Sequence, residues 1–188
     1  KLKPLVQISG GLMFLPADHT LVDPTREMVF LGLNDHGAPM FAMDVSQLEL
    51  DEGTPEVIGL LDTTALTHPD LVGAAFVEIR AVMSQLTPEH AEIASTARAV
   101  LGWHRSHKFC SACGAQSRAI FGGWKRECPT CGAQHFPRTD PVVIMLVTFG
   151  NSVLLGRSPH FPSGMYSLLA GFIEPGEPIE SGASRSDG

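Results

Sequence analysis

The segment CSACGAQSRAIFGGWKRECPTCG, residues 110–132, contains all four cysteines of the 188-residue chain. They form two Cys-x-x-Cys pairs separated by 14 residues, and a glycine follows each pair. Two knuckles of this kind place four thiolates tetrahedrally around zinc, about 2.3 Å from each sulfur. Because four protein ligands fill the coordination sphere, the pattern predicts a structural zinc ribbon rather than a catalytic zinc site. The predicted ligands are Cys110, Cys113, Cys128 and Cys131.

Two disulfides are the alternative for these cysteines, and the reducing interior of a cell disfavours them. His104, His107 and His135 flank the segment, but four thiolates already complete a zinc site, so no histidine ligand is expected. Trp124 is expected to cover the zinc knuckles, because so small a ribbon needs an aromatic side chain in its core. Stacking of Trp124 on a nucleobase is the other interpretation.

Composition places the chain among folded globular proteins. It is 44% hydrophobic, with a mean hydropathy of +0.11, and its longest apolar run, residues 142–149, falls far short of the ~20 residues that a membrane span requires. The N-terminus carries no secretory signal pattern. We therefore expect an intracellular, cytoplasmic protein without a membrane partner. A start at Lys1 and a Ser- and Gly-rich end are compatible with cut or processed termini.

Charge is unevenly distributed along the chain. The net charge is −7, yet residues 103–138 contain six Lys or Arg and a single acid, Glu127. Such a basic connector would attract phosphates. A solvated basic face without a ligand explains the same pattern equally well.

Turn and periodicity signals organise the rest of the chain. Residues 1–68 are expected to be rich in strands, with a hairpin at Asn34–Gly37. Two helices follow; Thr87 caps the second, Pro88 begins it, and apolar residues recur at helical spacing from Ile93 to Leu101. The unbroken run at residues 142–149 predicts a buried strand, which a turn at Gly150-Asn151 connects to the next strand.

A second motif lies near the end of the chain. Gly171 and Glu177 are separated by five residues, "MYSLLA" precedes them, and Arg185 follows eight residues after Glu177. Together with the four-cysteine segment, the "WH" before it, "FPRTDPVVI" and "LLAGFIEPGE", this pattern resembles the NADH pyrophosphatase group of Nudix hydrolases. The resemblance extends from about Arg80 to Arg185.

The resemblance implies an α+β fold: a strand-rich N-terminal domain (1–102), a four-cysteine zinc ribbon (103–137) and the beginning of a Nudix α/β/α sandwich (138–188). It implies hydrolysis of NADH or NAD⁺ to AMP and nicotinamide mononucleotide, or removal of NAD caps from RNA, with Mg²⁺ or Mn²⁺. On the residues alone, the Gly-rich bend and the helix after Pro178 suit a diphosphate.

In the family, metal-binding glutamates follow the arginine that matches Arg185. Glu177 matches the glutamate that pairs with this arginine, and Ala170 matches a residue whose backbone carbonyl binds the metal. Ser186 stands where the first metal-binding glutamate is expected, and the next two positions lie beyond Gly188. We therefore expect a chain truncated within the Nudix box and hydrolysis at background level.

Three further residues have weaker assignments. Arg80 matches an arginine that contacts substrate, with an ion pair as the alternative, and Phe136 matches an aromatic residue near the nicotinamide or base, with simple packing as the alternative. Glu174 is an additional acid in the loop.

Two other functions stay open. The chain could be a non-catalytic zinc-ribbon module that binds nucleotide or RNA through Lys125 and Arg126. It could also be a truncated pseudoenzyme that pairs with a complete subunit or forms a homodimer.

Overall fold

The computed structural model describes residues 2–54, 57–58 and 61–185. The chain forms two compact units, residues 1–137 and residues 138–188, and each is described by itself. Both combine short strands with helices, which confirms the predicted α+β class. No helix in the described part of the chain has the length and apolar character needed to cross a bilayer.

The first unit is built mainly from short antiparallel strands. Eight of them precede the helices: β1 (Leu5–Gln7), β2 (Met28–Leu33), β3 (Pro39–Met43), β4 (Asp51–Glu52), β5 (Val57–Ile58), β6 (Leu61–Asp62), β7 (Leu66–Thr67) and β8 (Ala74–Phe76). Four of these form a sheet in the order β1-β8-β7-β4, whereas β2 pairs with β3 and β5 with β6.

The β2–β3 hairpin confirms the turn predicted at Asn34–Gly37. The Asn34 side-chain oxygen accepts hydrogen bonds from the backbone N–H groups of His36 and Ala38, at 3.0 and 2.9 Å. Gly37 has a φ of 76°, a conformation that residues with a side chain rarely adopt. The local chemistry of the loop therefore fixes this connection.

Two helices follow the strands, α1 (Ile79–Val82) and α2 (Pro88–Ser106), with a 3₁₀ turn (Met83–Gln85) between them. The Thr87 side chain accepts a hydrogen bond from the His90 N–H at 3.2 Å, which confirms the predicted cap. Helix α2 belongs to both cores of the unit. Ala94 packs in a cluster with Val6, Leu12, Ile79 and Leu86, whereas Val100, Leu101 and Trp103 pack around Val29.

A three-stranded sheet completes the first unit. Its strands are β9 (Arg118–Ile120), β10 (Lys125–Glu127) and β11 (Gln134–His135), with β10 in the middle. Side chains alternate between the two faces of a strand, and the register aligns Ala119, Arg126 and His135. We call the face with these three residues the inner face. The opposite, outer face carries Arg118, Ile120, Lys125, Glu127 and Gln134.

The second unit contains two strand pairs and a helix. Strand β12 (Val142–Met145) pairs with β15 (Leu169–Phe172), β13 (Thr148–Phe149) pairs with β14 (Ser152–Val153), and α3 spans Ile179–Arg185. The turn predicted at Gly150-Asn151 is confirmed.

The prediction of a continuous buried strand over residues 142–149 is wrong. Val143 is buried, but Ile144 is 62% exposed and Phe149 is 90% exposed. Helix α3 contacts β12 and β15, and alternate residues of a strand point to opposite faces. In the described part of this unit, one face of the pair is therefore covered while the other remains open.

Candidate metal centre and active-site loop

The four cysteine sulfurs form one cluster. All four lie within 4.8 Å of one another, with 3.6 Å between Cys110 and Cys131 and 3.5 Å between Cys113 and Cys128. Zinc bound at ~2.3 Å requires sulfurs about 3.8 Å apart, whereas a disulfide requires about 2.05 Å. The cysteines are free thiols, so the geometry supports a structural zinc site rather than two disulfides.

The two knuckles use the same backbone geometry. The Cys110 N–H donates to the Ala115 carbonyl and the Gly114 N–H donates back to the Cys110 carbonyl, at 2.8 and 2.9 Å. Cys128 makes the equivalent pair with Ala133 and Gly132, at 2.9 Å each. Both glycines have positive φ, 78° and 74°, which turns the chain back around the metal position.

The thiols influence one another's ionisation. Backbone N–H groups of Cys131 and Thr130, with a smaller effect of the neighbouring thiols, lower the pKa of Cys128 to about 6. The Ala115 N–H lowers the pKa of Cys113, but the sulfurs of Cys131 and Cys128 outweigh it and raise that pKa to about 12. A divalent cation among the sulfurs would compensate this mutual repulsion, because metal ligation stabilises the thiolate form.

A buried arginine joins the ribbon to the N-terminal part of the unit. Arg126 is 2% exposed and donates to the Ser117 hydroxyl at 2.9 Å, the Ser117 carbonyl at 2.6 Å and Nδ1 of His104 at 2.8 Å. Its guanidinium also lies 3.3 Å from a Glu27 carboxylate oxygen. The inner face of the ribbon sheet is therefore held by a hydrogen-bonded network.

His104 has a defined protonation state in this network. Its Nε2 lies 2.8 Å from the Gly123 carbonyl, which can only accept, and its Nδ1 faces the Arg126 guanidinium, which can only donate. The ring is therefore neutral, with its proton on Nε2. Burial, together with the Arg126 charge, lowers the pKa of His104 despite the opposing effect of the Gly123 carbonyl.

The turn Phe121–Gly123 approaches strand β2 closely. A Cβ on Gly123 would lie 2.9 Å from the Met28 carbonyl oxygen, so this position requires glycine. The Trp124 indole N–H donates to the Phe30 carbonyl at 2.7 Å. Trp124 therefore fixes the ribbon to the β2–β3 hairpin, a role that its position between the cysteine pairs did not indicate.

The basic connector is less available to phosphates than its composition indicated. Arg126 is buried in the network, so it cannot serve as the exposed phosphate contact that the RNA-binding hypothesis required. Three further arginines lie within 4 Å of a carboxylate: Arg105 with Asp44, Arg118 with Glu127 and Arg138 with Asp140. Among the described residues this leaves Lys108 and Lys125 as connector cations without a carboxylate partner.

In the second unit, Arg185 holds the loop that follows β15. Its guanidinium donates to both carboxylate oxygens of Glu177 at 2.9 Å, and also to the Phe172 carbonyl at 2.8 Å. The Arg185 hydrogen bonds, with a further one from the Glu174 N–H, lower the pKa of Glu177 to about 2. The Arg185 side chain therefore holds the beginning of the loop, at Phe172, and its later part, at Glu177.

The strand register leaves the Ala170 carbonyl unpaired with β12. The Ile173 N–H donates to the Pro141 carbonyl, so Gly171 and Val143 form a hydrogen-bonded pair, and Ala170 and Ile144 form a non-hydrogen-bonded one. The Ala170 carbonyl therefore points away from β12. Ser186 lies outside the described residues, and the cysteines are the one group of three or more metal-ligating side chains in the described chain.

Arg80 and Phe136 lie in separate parts of the first unit. The Arg80 guanidinium is 3.7 Å, and that of Arg98 3.6 Å, from the fully buried Glu78 carboxylate. Both arginines line a cleft of about 500 Å³, formed by residues of α1 and α2 together with Leu2 and Met83. Phe136 is 64% exposed, and its ring lies 5.7 Å from the Lys125 ammonium.

Two family models match the first unit. The model of the NADH pyrophosphatase-like rudimentary Nudix domain matches residues 1–103, more than half of the chain. The chain belongs to this Nudix family. The model of the NADH pyrophosphatase zinc ribbon domain matches residues 105–136, which include all four cysteines. The resemblance noted from the sequence is confirmed, and the match also covers the residues before Arg80.

Curated relatives agree with this family membership. NAD-capped RNA hydrolase NudC of Stutzerimonas stutzeri is 40% identical over 71% of the chain and 47% of its own length. The mitochondrial NAD(P)H pyrophosphatase NUDT13 of Homo sapiens is 33% identical over 95% of the chain and 53% of its own length. NAD-capped RNA hydrolase NUDT12 of Homo sapiens is 46% identical over 54% and 24%. The chain thus spans about half, or less, of the length of these relatives.

Proposed function

We propose that the protein hydrolyses the diphosphate of NADH or NAD⁺, releasing AMP and nicotinamide mononucleotide. The observation that carries the proposal is the Glu177–Arg185 pair, which fixes the loop beside the outward-pointing Ala170 carbonyl in a chain of this family. In the reaction, water attacks one phosphorus and the anhydride P–O bond breaks, giving two monophosphates.

Mg²⁺ or Mn²⁺ would supply neutralisation of phosphate charge and orientation of the attacking water. Ala170 would contribute its carbonyl, a hard oxygen ligand of the kind these cations prefer. Glu177 is committed to Arg185, and the described residues hold no carboxylate cluster. The described residues therefore do not by themselves form a divalent-cation site.

The substrate contacts fall on two residues of the first unit. Arg80 offers a partly exposed guanidinium for phosphate, which Glu78 helps to hold. Phe136 offers an exposed ring for the nicotinamide or adenine base. Glu174 provides an additional acid in the loop, and the zinc stabilises the ribbon without contacting substrate.

The relatives' names include both free dinucleotides and NAD-capped RNA, and we extend both substrate classes to this protein. An intracellular location suits four free thiols. Homodimer formation also belongs to the proposal.

The test compares the 188-residue chain with a chimera in which the matching remainder of the Stutzerimonas relative follows residue 185. Both are incubated with NADH and Mg²⁺ or Mn²⁺, and AMP is quantified by chromatography. We expect AMP at the level of a protein-free control from the chain and well above it from the chimera, because only the latter gains the missing carboxylates.

AMP release by the 188-residue chain would support the assigned activity and contradict only the expected background level, because its own residues would then suffice for the metal. One outcome would contradict the proposal itself. A folded, zinc-containing chimera that leaves NADH, NAD⁺ and NAD-capped RNA intact would remove the assigned activity. Glu177→Gln in the chimera is the matched variant, and it should lower the rate while leaving the zinc content unchanged.

A further inference from the structure

Glu78 is a buried carboxylate that lies between two arginines. It is fully buried, and neither of its oxygens has a hydrogen-bond partner among the described residues. Arg80 Nε lies 3.7 Å and Arg98 Nη2 lies 3.6 Å from its Oε1, both beyond ordinary hydrogen-bonding distance. A buried charge is costly unless it is paired. In the described part of the chain, these two arginines are what compensates the charge of Glu78.

The two arginines keep their hydrogen-bonding capacity. A guanidinium has five N–H donors, and neither Arg80 nor Arg98 donates a hydrogen bond to another described residue. Their side chains are 55% and 37% exposed and line the same cleft. One carboxylate balances one of the two positive charges, so the pair can still attract an anion.

One face of α2 forms a wall of this cleft. Arg98, Gly102 and Arg105 line it, and their spacing of three and four residues places them on the same side of the helix. Arg105 is the third arginine of the cleft, but its guanidinium lies 3.7 Å from the Asp44 carboxylate. Arg98 is therefore the residue of this face that can join Arg80 on an anionic ligand.

We propose that Arg98 is a second phosphate-binding residue, which contacts one phosphate of the substrate while Arg80 contacts the other. A guanidinium matches phosphate oxygens through paired N–H donors, and a charge-assisted hydrogen bond is stronger than a neutral one. Two guanidinium groups beside one another thus suit two linked phosphates. The inference rests on the proposed function, in which Arg80 binds the diphosphate of NADH or NAD⁺.

Glu78 acts as a positioning residue for both arginines. Both ion pairs are to the same oxygen, Oε1, so one buried atom restricts where each guanidinium can lie. Such preorganisation reduces the side-chain entropy that a flexible arginine loses on binding. Removal of the Glu78 charge should therefore weaken binding of an anion, although charge alone would predict tighter binding.

The test measures binding of inorganic pyrophosphate to the 188-residue chain by isothermal titration calorimetry, without divalent cations. Arg98→Gln and Arg80→Gln should each weaken binding about tenfold, the effect of one lost hydrogen-bonded contact to a charged group. Arg105→Gln, on the same face of α2 but paired with Asp44, is the matched control. It should change Kd by less than about threefold.

Glu78→Gln keeps the shape of the side chain and should weaken pyrophosphate binding about threefold. In a chain that already carries Arg80→Gln and Arg98→Gln, the same change should have no further effect, because Glu78 acts through these two side chains. Zinc content and circular dichroism report whether each variant has folded. The partly exposed Arg98 decides the proposal even if Glu78→Gln does not fold.

Three results would overturn the phosphate contact: a pyrophosphate Kd unchanged by Arg98→Gln, an equal loss in Arg105→Gln, or a folded chain that does not bind pyrophosphate. Tighter binding by Glu78→Gln would show that this carboxylate merely repels the anion, and its positioning role would be lost.

Two further results separate the role of Arg98 from the proposed function. Pyrophosphate binding requires no turnover, so a chain that binds it through Arg98, and whose chimera leaves NADH, NAD⁺ and NAD-capped RNA intact, would refute the proposed function alone. In an active chimera, Arg98→Gln should raise KM for NADH about tenfold with little change in kcat, because the contact is present in both the bound substrate and the transition state. An unchanged KM would refute the role of Arg98 alone.

Discussion

The zinc ribbon and the loop after β15 each depend on short motifs, but they differ in how much of a site the chain brings together. In the ribbon, four ligands lie within 22 residues, and the metal position is enclosed by two knuckles of equal geometry. In the loop, one bidentate ion pair and one free carbonyl are in place, while the carboxylates for a cation are not among the described residues. A motif therefore indicates a complete site only where all its ligands are local.

The strongest test of this comparison removes one ligand from the ribbon. Cys128→Ser should abolish zinc binding and unfold residues 103–137, because a structural zinc contributes on the order of 10 kcal/mol in small zinc modules. Zinc content and limited proteolysis measure both effects. Ser111→Ala, an exposed position within the first knuckle, is the control and should retain the metal. A folded ribbon in the Cys128→Ser variant would show that the metal is dispensable.

The next largest effect is expected at the attachment of the ribbon. Arg126→Leu leaves His104, Ser117 and Glu27 without their donor and should lower the free energy of unfolding by about 3 kcal/mol. Arg118→Leu removes an exposed ion pair and should cost less than about 1 kcal/mol. Denaturant unfolding followed by fluorescence of Trp103 and Trp124 compares the two. Equal costs would show that the buried network does not hold the ribbon.

These two predictions mark what the sequence could and could not reveal. The sequence predicts the zinc ribbon, the Asn34–Gly37 turn and the Thr87 cap because each depends on residues that are close together in the chain. Arg126 was misinterpreted as a phosphate contact because two of its partners, His104 and Glu27, lie 22 and 99 residues away in the sequence. The run at 142–149 was misinterpreted because hydrophobicity alone does not say which face another element covers.

A smaller effect should appear as a pH dependence confined to the first unit. The pKa of His104 lies below its ordinary value of 6.5, so below pH 6.5 the unfolded chain binds a proton that the folded chain excludes. The free energy of unfolding should therefore fall as the pH decreases below 6.5 and stay constant for this residue above it. His104→Gln, which can still donate and accept, should flatten that region of the curve. An unchanged slope would assign the titration to another group.

The smallest effect is expected at the loop. Glu177→Gln replaces a charged acceptor with a neutral one, so residues 171–185 should exchange amide hydrogens faster, while global unfolding changes little. In the unmodified chain, the pKa of about 2 for Glu177 means that the pair's contribution is present above pH 4.5 and is lost as the pH falls toward 2. Hydrogen exchange at pH 7 and pH 3 measures this, with Glu180→Gln on α3 as the control. Faster exchange in the control than in Glu177→Gln would contradict the role of the pair.

The network around Arg126 also has a consequence for the order of events during synthesis. Glu27 and His104 are synthesised before Arg126. The three residues can meet only when synthesis has reached Arg126, just before Cys128 of the second cysteine pair. Until Arg126 has been synthesised, Nδ1 of His104 lacks the guanidinium that it contacts in the folded unit, and Glu27 lacks its ion-pair partner. Because Arg126 lies between the two cysteine pairs, we expect chains without zinc to be more sensitive to proteases within residues 1–102 as well as within the ribbon.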